Sequence, residues 1–194
     1  MVISDNSILP GLLRTVFLDR DGVLNEKMPE GCYVSSWNEF HPLPGAVEAI
    51  SRLNRAGLRV MVVSNQRGIA KGLYTAADVQ EIHSRFQNLL KTHGAKVDGF
   101  YFCPHEKGQC NCRKPLPGLY EHATRDFPGI SGETSAMIGD SISDIEFGRR
   151  LGMRTVFLDR NGGRQKPDSN AAEKFADLWF SNLPEAVDAL LENL

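Results

Sequence analysis

Short apolar runs recur along the chain, each closing on polar residues and each followed by a stretch with helical spacing. The first, Thr15–Leu18, reads as a buried strand that ends on Asp19. Residues 25–43 hold Pro29, Gly31, Pro42 and scattered aromatics, an irregular segment placed to fold back over whatever follows the first strand. Pro44 and Gly45 open a helix with Val47, Ile50 and Leu53 on its apolar face, stopped by Gly57. A second strand covers 58–63 and closes on Ser64, Asn65 and Gln66. Thr75 is the expected N-cap of a helix over Ala76–Thr92, with Val79, Ile82, Phe86, Leu89 and Leu90 at helical spacing. Further strands are predicted at 99–102, 135–138, 155–158 and Leu178–Phe180, and further helices at 117–127, 142–151 and 184–191. Residues 1–13 are weakly patterned and read as an arm, and 159–170 as a polar loop. Strand and helix alternate without repeats or low-complexity linkers. The pattern predicts an α/β protein, a three-layer α/β/α arrangement around a central parallel sheet, in a single domain.

Composition narrows the function classes. Net charge is −2 over 194 residues, with no long basic run, so neither nucleic acid nor an anionic membrane surface is an expected partner. No apolar stretch reaches the ~20 residues a spanning helix needs. Residues 1–11 lack the basic start and apolar core of a signal peptide. A cytoplasmic location is expected, where four cysteines stay reduced and metal binding becomes a serious use for them.

The chemistry lies at strand ends. In an open α/β sheet, ligands bind at the carboxyl ends of the strands. Those ends carry Asp19 and Asp21, then Ser64-Asn65-Gln66, then a Cys-rich stretch leading to Arg113-Lys114, then Asp140 and Asp144. Alone, Asp-x-Asp-Gly is equally a polar turn. Together, the four ends supply carboxylates for Mg²⁺ and a hydroxyl and an ammonium for phosphate charge, the set that phosphoryl transfer uses. Cys103, His105, Cys110 and Cys112 lie within ten residues, and Cys₃His is a closed zinc set able to pin a loop. The plainer alternative is a group of buried or reactive thiols. Cys32 reads as a bystander thiol, Trp37 and Trp179 as packing, the remaining histidines as solvated or core-edge, and Lys71 as a surface charge.

D-R-D-G-V-L-N at 19–25, Ser64 after a strand, Lys114 before Pro115 and G-D-S-I-S-D at 139–144 resemble, in order, the four motifs of the haloacid-dehalogenase-like superfamily. That resemblance implies a Rossmann-like sheet and a Mg²⁺-dependent mechanism. Asp19 would be the nucleophile. Asp21 would be the acid/base and lend its main-chain carbonyl to Mg²⁺. Asp140 would ligate Mg²⁺, Asp144 would support its loop, and Ser64 and Lys114 would hold the phosphoryl group. No large insertion follows the first or third strand, so no cap domain is expected. Adding Cys-Pro-His … Cys-x-Cys-Arg-Lys-Pro, the chain is similar to the zinc-loop branch of the superfamily, whose members act on sugar bisphosphates or, as the alternative, on histidinol phosphate. By this resemblance Glu30, Gly31, Cys32, Tyr33, Asn65, Gln66, Arg67, Arg113 and Ser141 would face a small sugar phosphate, the expected partner of a monomer. A zinc-stabilised module that binds phosphorylated ligands without turnover is the rival from a different class; it would lack a nucleophile or metal carboxylate, and none is lacking here.

Overall fold

The computed structural model describes residues 13–159 and 175–192. The expected arm, all but Leu13, and the expected 159–170 loop, all but Asp159, lie outside them. Six parallel strands form the sheet: β1 (Thr15–Leu18), β2 (Arg59–Asn65), β3 (Gly99–Cys103), β4 (Ser135–Gly139), β5 (Arg154–Leu158) and β6 (Leu178–Phe180), in the order β3-β2-β1-β4-β5-β6. Among the described residues, the α-helices that cover it are α1 (Ala46–Arg55), α2 (Ala76–Thr92), α3 (Gly118–Asp126), α4 (Ile142–Arg150) and α5 (Leu183–Leu191). The connections after β1 and β3 carry no inserted domain, in agreement with a capless α/β/α fold.

The strands read as unbroken apolar runs because both faces of the sheet are buried. Val16 and Leu18 join Val60, Val62 and Ile138 under α1, α2 and α5, through Ile50, Phe86 and Leu190 among others. Phe17, Met61, Val63 and Met137 point the other way, onto Leu119 and Ala123 of α3 and Phe147 of α4. α2 begins where Thr75 and Asp78 exchange side-chain hydrogen bonds with each other's main-chain N–H at 3.2 and 2.7 Å, a reciprocal cap. His83 is buried on α2, its ring 4.6 Å from that of Phe100, and burial pushes its pKa down to about 3. Trp37 stacks on Phe40, as packing requires. Trp179 does not pack: it is 58% exposed, because β6 is the sheet edge and this position points outward.

Strand order decides where the site lies. The chain runs outward from β1 through β2 to β3, then returns to β4 on the other side of β1. Leu18 pairs in register with both Val62 and Ile138. Asp19 and Asp140, just past β1 and β4, and Ser64, in the last pleat of β2, are therefore neighbours at the point where strand order reverses, the position at which such sheets bind ligands.

Candidate active site

Asp19, the first residue past β1, is 9% exposed, and one of its oxygens accepts from Lys114 Nζ at 2.8 Å. Lys114 is buried as well. Its ammonium also donates to the Val63 carbonyl at 2.6 Å and pairs with Asp144 at 2.6 Å, and the two carboxylates raise its pKa despite the burial. Asn65 fixes the lysine's main chain: its amide nitrogen donates to the Lys114 carbonyl at 3.1 Å and its oxygen accepts the Lys114 N–H at 3.0 Å. Asn65 thus lines the cleft but spends its polar groups on positioning Lys114. The Lys114–Pro115 peptide is cis.

Asp21 is held from three sides. Arg20, 1% exposed, donates from Nη2 to both carboxylate oxygens at 2.8 and 2.9 Å; Asn25 donates at 2.9 Å and Gln66 at 3.0 Å. Burial works against ionisation, but Arg20 and the hydrogen bonds outweigh it and hold the Asp21 pKa below the ordinary value. Gly22 follows with φ +94°, and a Cβ there would sit 2.2 Å from an Asp140 oxygen. Only glycine lets β1's turn pass this close to that carboxylate.

Asp140 and Asp144 come from the β4–α4 turn. Asp144 caps α4 by accepting from Ser141 N–H at 3.1 Å and Ser141 Oγ at 2.6 Å, so Ser141 orients a carboxylate at the mouth of the cleft. Oxygens of Asp19, Asp140 and Asp144 lie within 4.8 Å of one another. Burial, offset in part by Lys114 and increased by the neighbouring carboxylates, pushes the Asp19 pKa up to about 7. Asp140 is raised too, and its Oδ1 is buried with no hydrogen-bond partner among the described residues. Three crowded carboxylates, one with an unpartnered oxygen, fit a hard divalent cation with oxygen ligands. Asp144 stands in this group beside Asp19 and Asp140, and the Asp21 carboxylate is turned to Arg20, which leaves the main-chain carbonyl as the part of Asp21 expected to face a cation.

Beyond β3, the Cys₃His side chains converge. Cys103 and Cys110 sulfurs are 3.5 Å apart, Cys110 and Cys112 3.4 Å, and His105 Nδ1 lies 3.3 Å from Cys112 and 3.7 Å from Cys103. These exceed the ~2.05 Å of a disulfide and approach the ~3.7 Å edge of a tetrahedron built on Zn–S bonds of ~2.3 Å. Burial raises the Cys103 and Cys112 thiols, so ionising them calls for a cation.

A cleft of about 290 Å³ joins these parts. Asp19, Asp21, Ser64, Lys114 and Asp140 line it, as do Glu30, Gly31, Cys32, Tyr33, Asn65, Gln66, Arg113 and Ser141. The irregular 25–43 segment therefore does return over the site. Arg67 is not in the lining; it turns outward to Glu106 of the Cys-rich loop, 2.6 Å away. Arg113 Nη1 is buried without a partner among the described residues. Sequence reasoning missed Lys27, whose Nζ reaches Asp140 at 2.5 Å, and the tethering roles of Arg20 and Tyr74. A lysine two residues after D-R-D-G-V-L-N, at the root of the returning segment, was the available signal.

The family model that describes haloacid dehalogenase-like hydrolases matches residues 23–152, and the chain belongs to that family. The match begins just after the Asp19/Asp21 pair. Among named relatives, the chain is 42% identical over 137 residues to a D-glycero-alpha-D-manno-heptose-1,7-bisphosphate 7-phosphatase of Mycobacterium bovis, covering 70% of this chain and 72% of the relative. It is 35% identical over 182 residues to a D-glycero-beta-D-manno-heptose-1,7-bisphosphate 7-phosphatase of Pseudomonas aeruginosa, covering 91% and 97%. Its fold is similar to the crystal structure of the D,D-heptose 1,7-bisphosphate phosphatase of B. bronchiseptica complexed with magnesium and phosphate, with TM-score 0.79, 29% identity, and 94% and 100% of the two chains covered. No helix among the described residues is long and apolar enough to cross a membrane.

Proposed function

We propose that this hydrolase removes the 7-phosphate of D-glycero-D-manno-heptose 1,7-bisphosphate, with Mg²⁺ and through an aspartyl-phosphate on Asp19. The relatives' names support the substrate. The observation that carries it to this chain is Arg113, which lines the cleft beside the Asp19–Lys114 pair and whose buried guanidinium nitrogen has no partner among the described residues, free for a second phosphate. Cys103, His105, Cys110 and Cys112 would hold a structural zinc, since four protein ligands leave no open position for chemistry.

In this reading the Asp19 carboxylate attacks phosphorus and the sugar oxygen leaves with the electron pair of the broken P–O bond. Asp21, ionised and bonded to Arg20 before substrate binds, takes up a proton from solvent in the substrate complex and gives it to that oxygen. Water then attacks the phosphoryl group on Asp19, Asp21 takes the water's proton, and phosphate departs. Ser64 and Lys114 hold the equatorial oxygens throughout. Mg²⁺, held by Asp19, Asp140 and Asp144 with the Asp21 carbonyl that the family resemblance adds, would supply charge neutralisation for the transferring group. Phosphate release from a panel of heptose 1,7-bisphosphate in both anomers, fructose bisphosphate and histidinol phosphate tests the proposal. The heptose ester should rank first and should need Mg²⁺. Histidinol phosphate in first place would select the alternative phosphatase, and no turnover at all would select the binding module.

Two further results are expected. Because the Asp19 pKa stands near 7 without a cation, protons and Mg²⁺ compete for it. The apparent Kd for Mg²⁺ should rise as pH falls below about 7, by up to about tenfold per pH unit for one competing proton, and level off above it. Titration calorimetry between about pH 6 and pH 8 measures this; a flat Kd would contradict it.

The second concerns Arg113. A guanidinium forks onto phosphate with two parallel hydrogen bonds. Arg113→Ala should lower kcat/KM for the bisphosphate at least about tenfold, the equivalent of about 1.4 kcal/mol. p-Nitrophenyl phosphate should be affected far less. An equal loss on both substrates would assign Arg113 to the chemistry or the fold instead.

A further inference from the structure

Gln66 is 2% exposed, yet all of its polar capacity is used, and used within the site. Its Nε2 donates to Ser64 Oγ at 2.7 Å and to Asp21 Oδ2 at 3.0 Å, while its Oε1 accepts from Tyr74 OH at 2.7 Å. An amide nitrogen has two hydrogens, and here each has an acceptor. Both Asp21 oxygens accept from Arg20 and one also from Asn25, so the side of the amide that faces Asp21 is the donating nitrogen; the reverse orientation would set Oε1 against an accepting oxygen. Tyr74, 7% exposed, caps the other end of the amide and holds that orientation.

The consequence falls on Ser64. Its hydroxyl has one proton and two lone pairs. Gln66 occupies a lone pair, and no acceptor among the described residues takes the proton, while Ser64 itself lines the cleft beside Asp19 and Lys114. We infer that Gln66 is a positioning residue: by donating to Ser64 it aims the serine proton at the bound phosphoryl oxygen, with Tyr74 setting which way the amide faces. This departs from the expectation that Gln66 touches the substrate. It rests on the proposed phosphate-holding role of Ser64.

Turnover is a poor readout, because Gln66 also holds Asp21. The informative quantity is the affinity for inorganic phosphate with Mg²⁺ present, by titration calorimetry, in a double-mutant cycle. Ser64→Ala should weaken phosphate about tenfold and Gln66→Met at least about threefold. The double variant should be within about twofold of Ser64→Ala alone, because a group acting through the serine hydroxyl has nothing to act on once it is gone. Tyr74→Phe, which removes one hydroxyl and leaves the ring packed, should weaken phosphate about threefold in the parent chain and not at all in the Ser64→Ala background. It carries the test if Gln66→Met does not fold. Losses that multiply, or a Gln66→Met or Tyr74→Phe chain with parental affinity, overturn the inference while leaving the role of Ser64 intact. A Ser64→Ala chain with parental phosphate affinity removes both.

Discussion

Asp19→Asn will keep the fold and lose at least about a thousandfold in turnover, the scale on which removing a nucleophile acts. The substitution preserves size and removes the negative charge that would attack phosphorus. It should not unfold the chain, because Lys114 retains Asp144 at 2.6 Å and the Val63 carbonyl at 2.6 Å. It also relieves crowding: burial and the neighbouring carboxylates already disfavour charge on Asp19. The melting temperature in the absence of Mg²⁺ should therefore be unchanged or higher. Steady-state phosphate release and a thermal melt on the same preparation read both arms. Near-parental phosphatase activity in Asp19→Asn would refute the covalent mechanism.

The second large effect concerns the Cys-rich loop. Purified protein should contain close to one zinc per chain, and a Cys110→Ser/Cys112→Ser chain should contain none. Cys112 is two residues from Lys114, so the metal would anchor the segment that delivers both the ammonium and Arg113 to the cleft. Asn65 braces the same segment from the other side, through two hydrogen bonds to the Lys114 main chain. With one anchor gone, Lys114 should lose its placement against Asp19. The expected result is a fall of at least about tenfold in kcat/KM, since a small misplacement of a group that positions the substrate is costly in rate, together with a lower melting temperature. Metal analysis by mass spectrometry, activity and melting together decide it. A metal-free parent chain that retains full activity would overturn the assignment.

Much of this was legible from residue order. Alternating apolar runs and helical stretches predicted the strands within a residue or two, because a strand buried on both faces must be apolar throughout and its end must change character abruptly. Asp19, Ser64, Lys114 and Asp140 could be read as site candidates for the same reason: each lies at the end of a buried strand or in the loop beyond it, and the structure brings all four to one cleft. The Cys₃His group was legible because its ligands are close in sequence.

What sequence could not determine depends on groups meeting across the sheet. Arg67 adjoins Gln66, yet its side chain leaves the cleft for Glu106, a partner 39 residues away that no local pattern announces. Asp144 reads as a loop support only by the family resemblance, and it is the turn over Gly139 and Ser141 that brings its oxygens within 4.8 Å of those of Asp19 and Asp140. Arg20, Tyr74 and Lys27 are ordinary residue types whose importance comes from what they meet: buried Arg20 the Asp21 carboxylate, buried Tyr74 the Gln66 amide, and half-exposed Lys27 the Asp140 carboxylate. Trp179, apolar but exposed, shows the converse, since which strand forms the edge is a property of sheet order. The sequence by itself determined the elements and the chemical groups at their ends, because those depend on local periodicity and side-chain type. The tertiary structure alone decided which of those groups meet in an ion pair, a carboxylate cluster or a hydrogen bond, because those interactions depend on distances that only strand order and burial set.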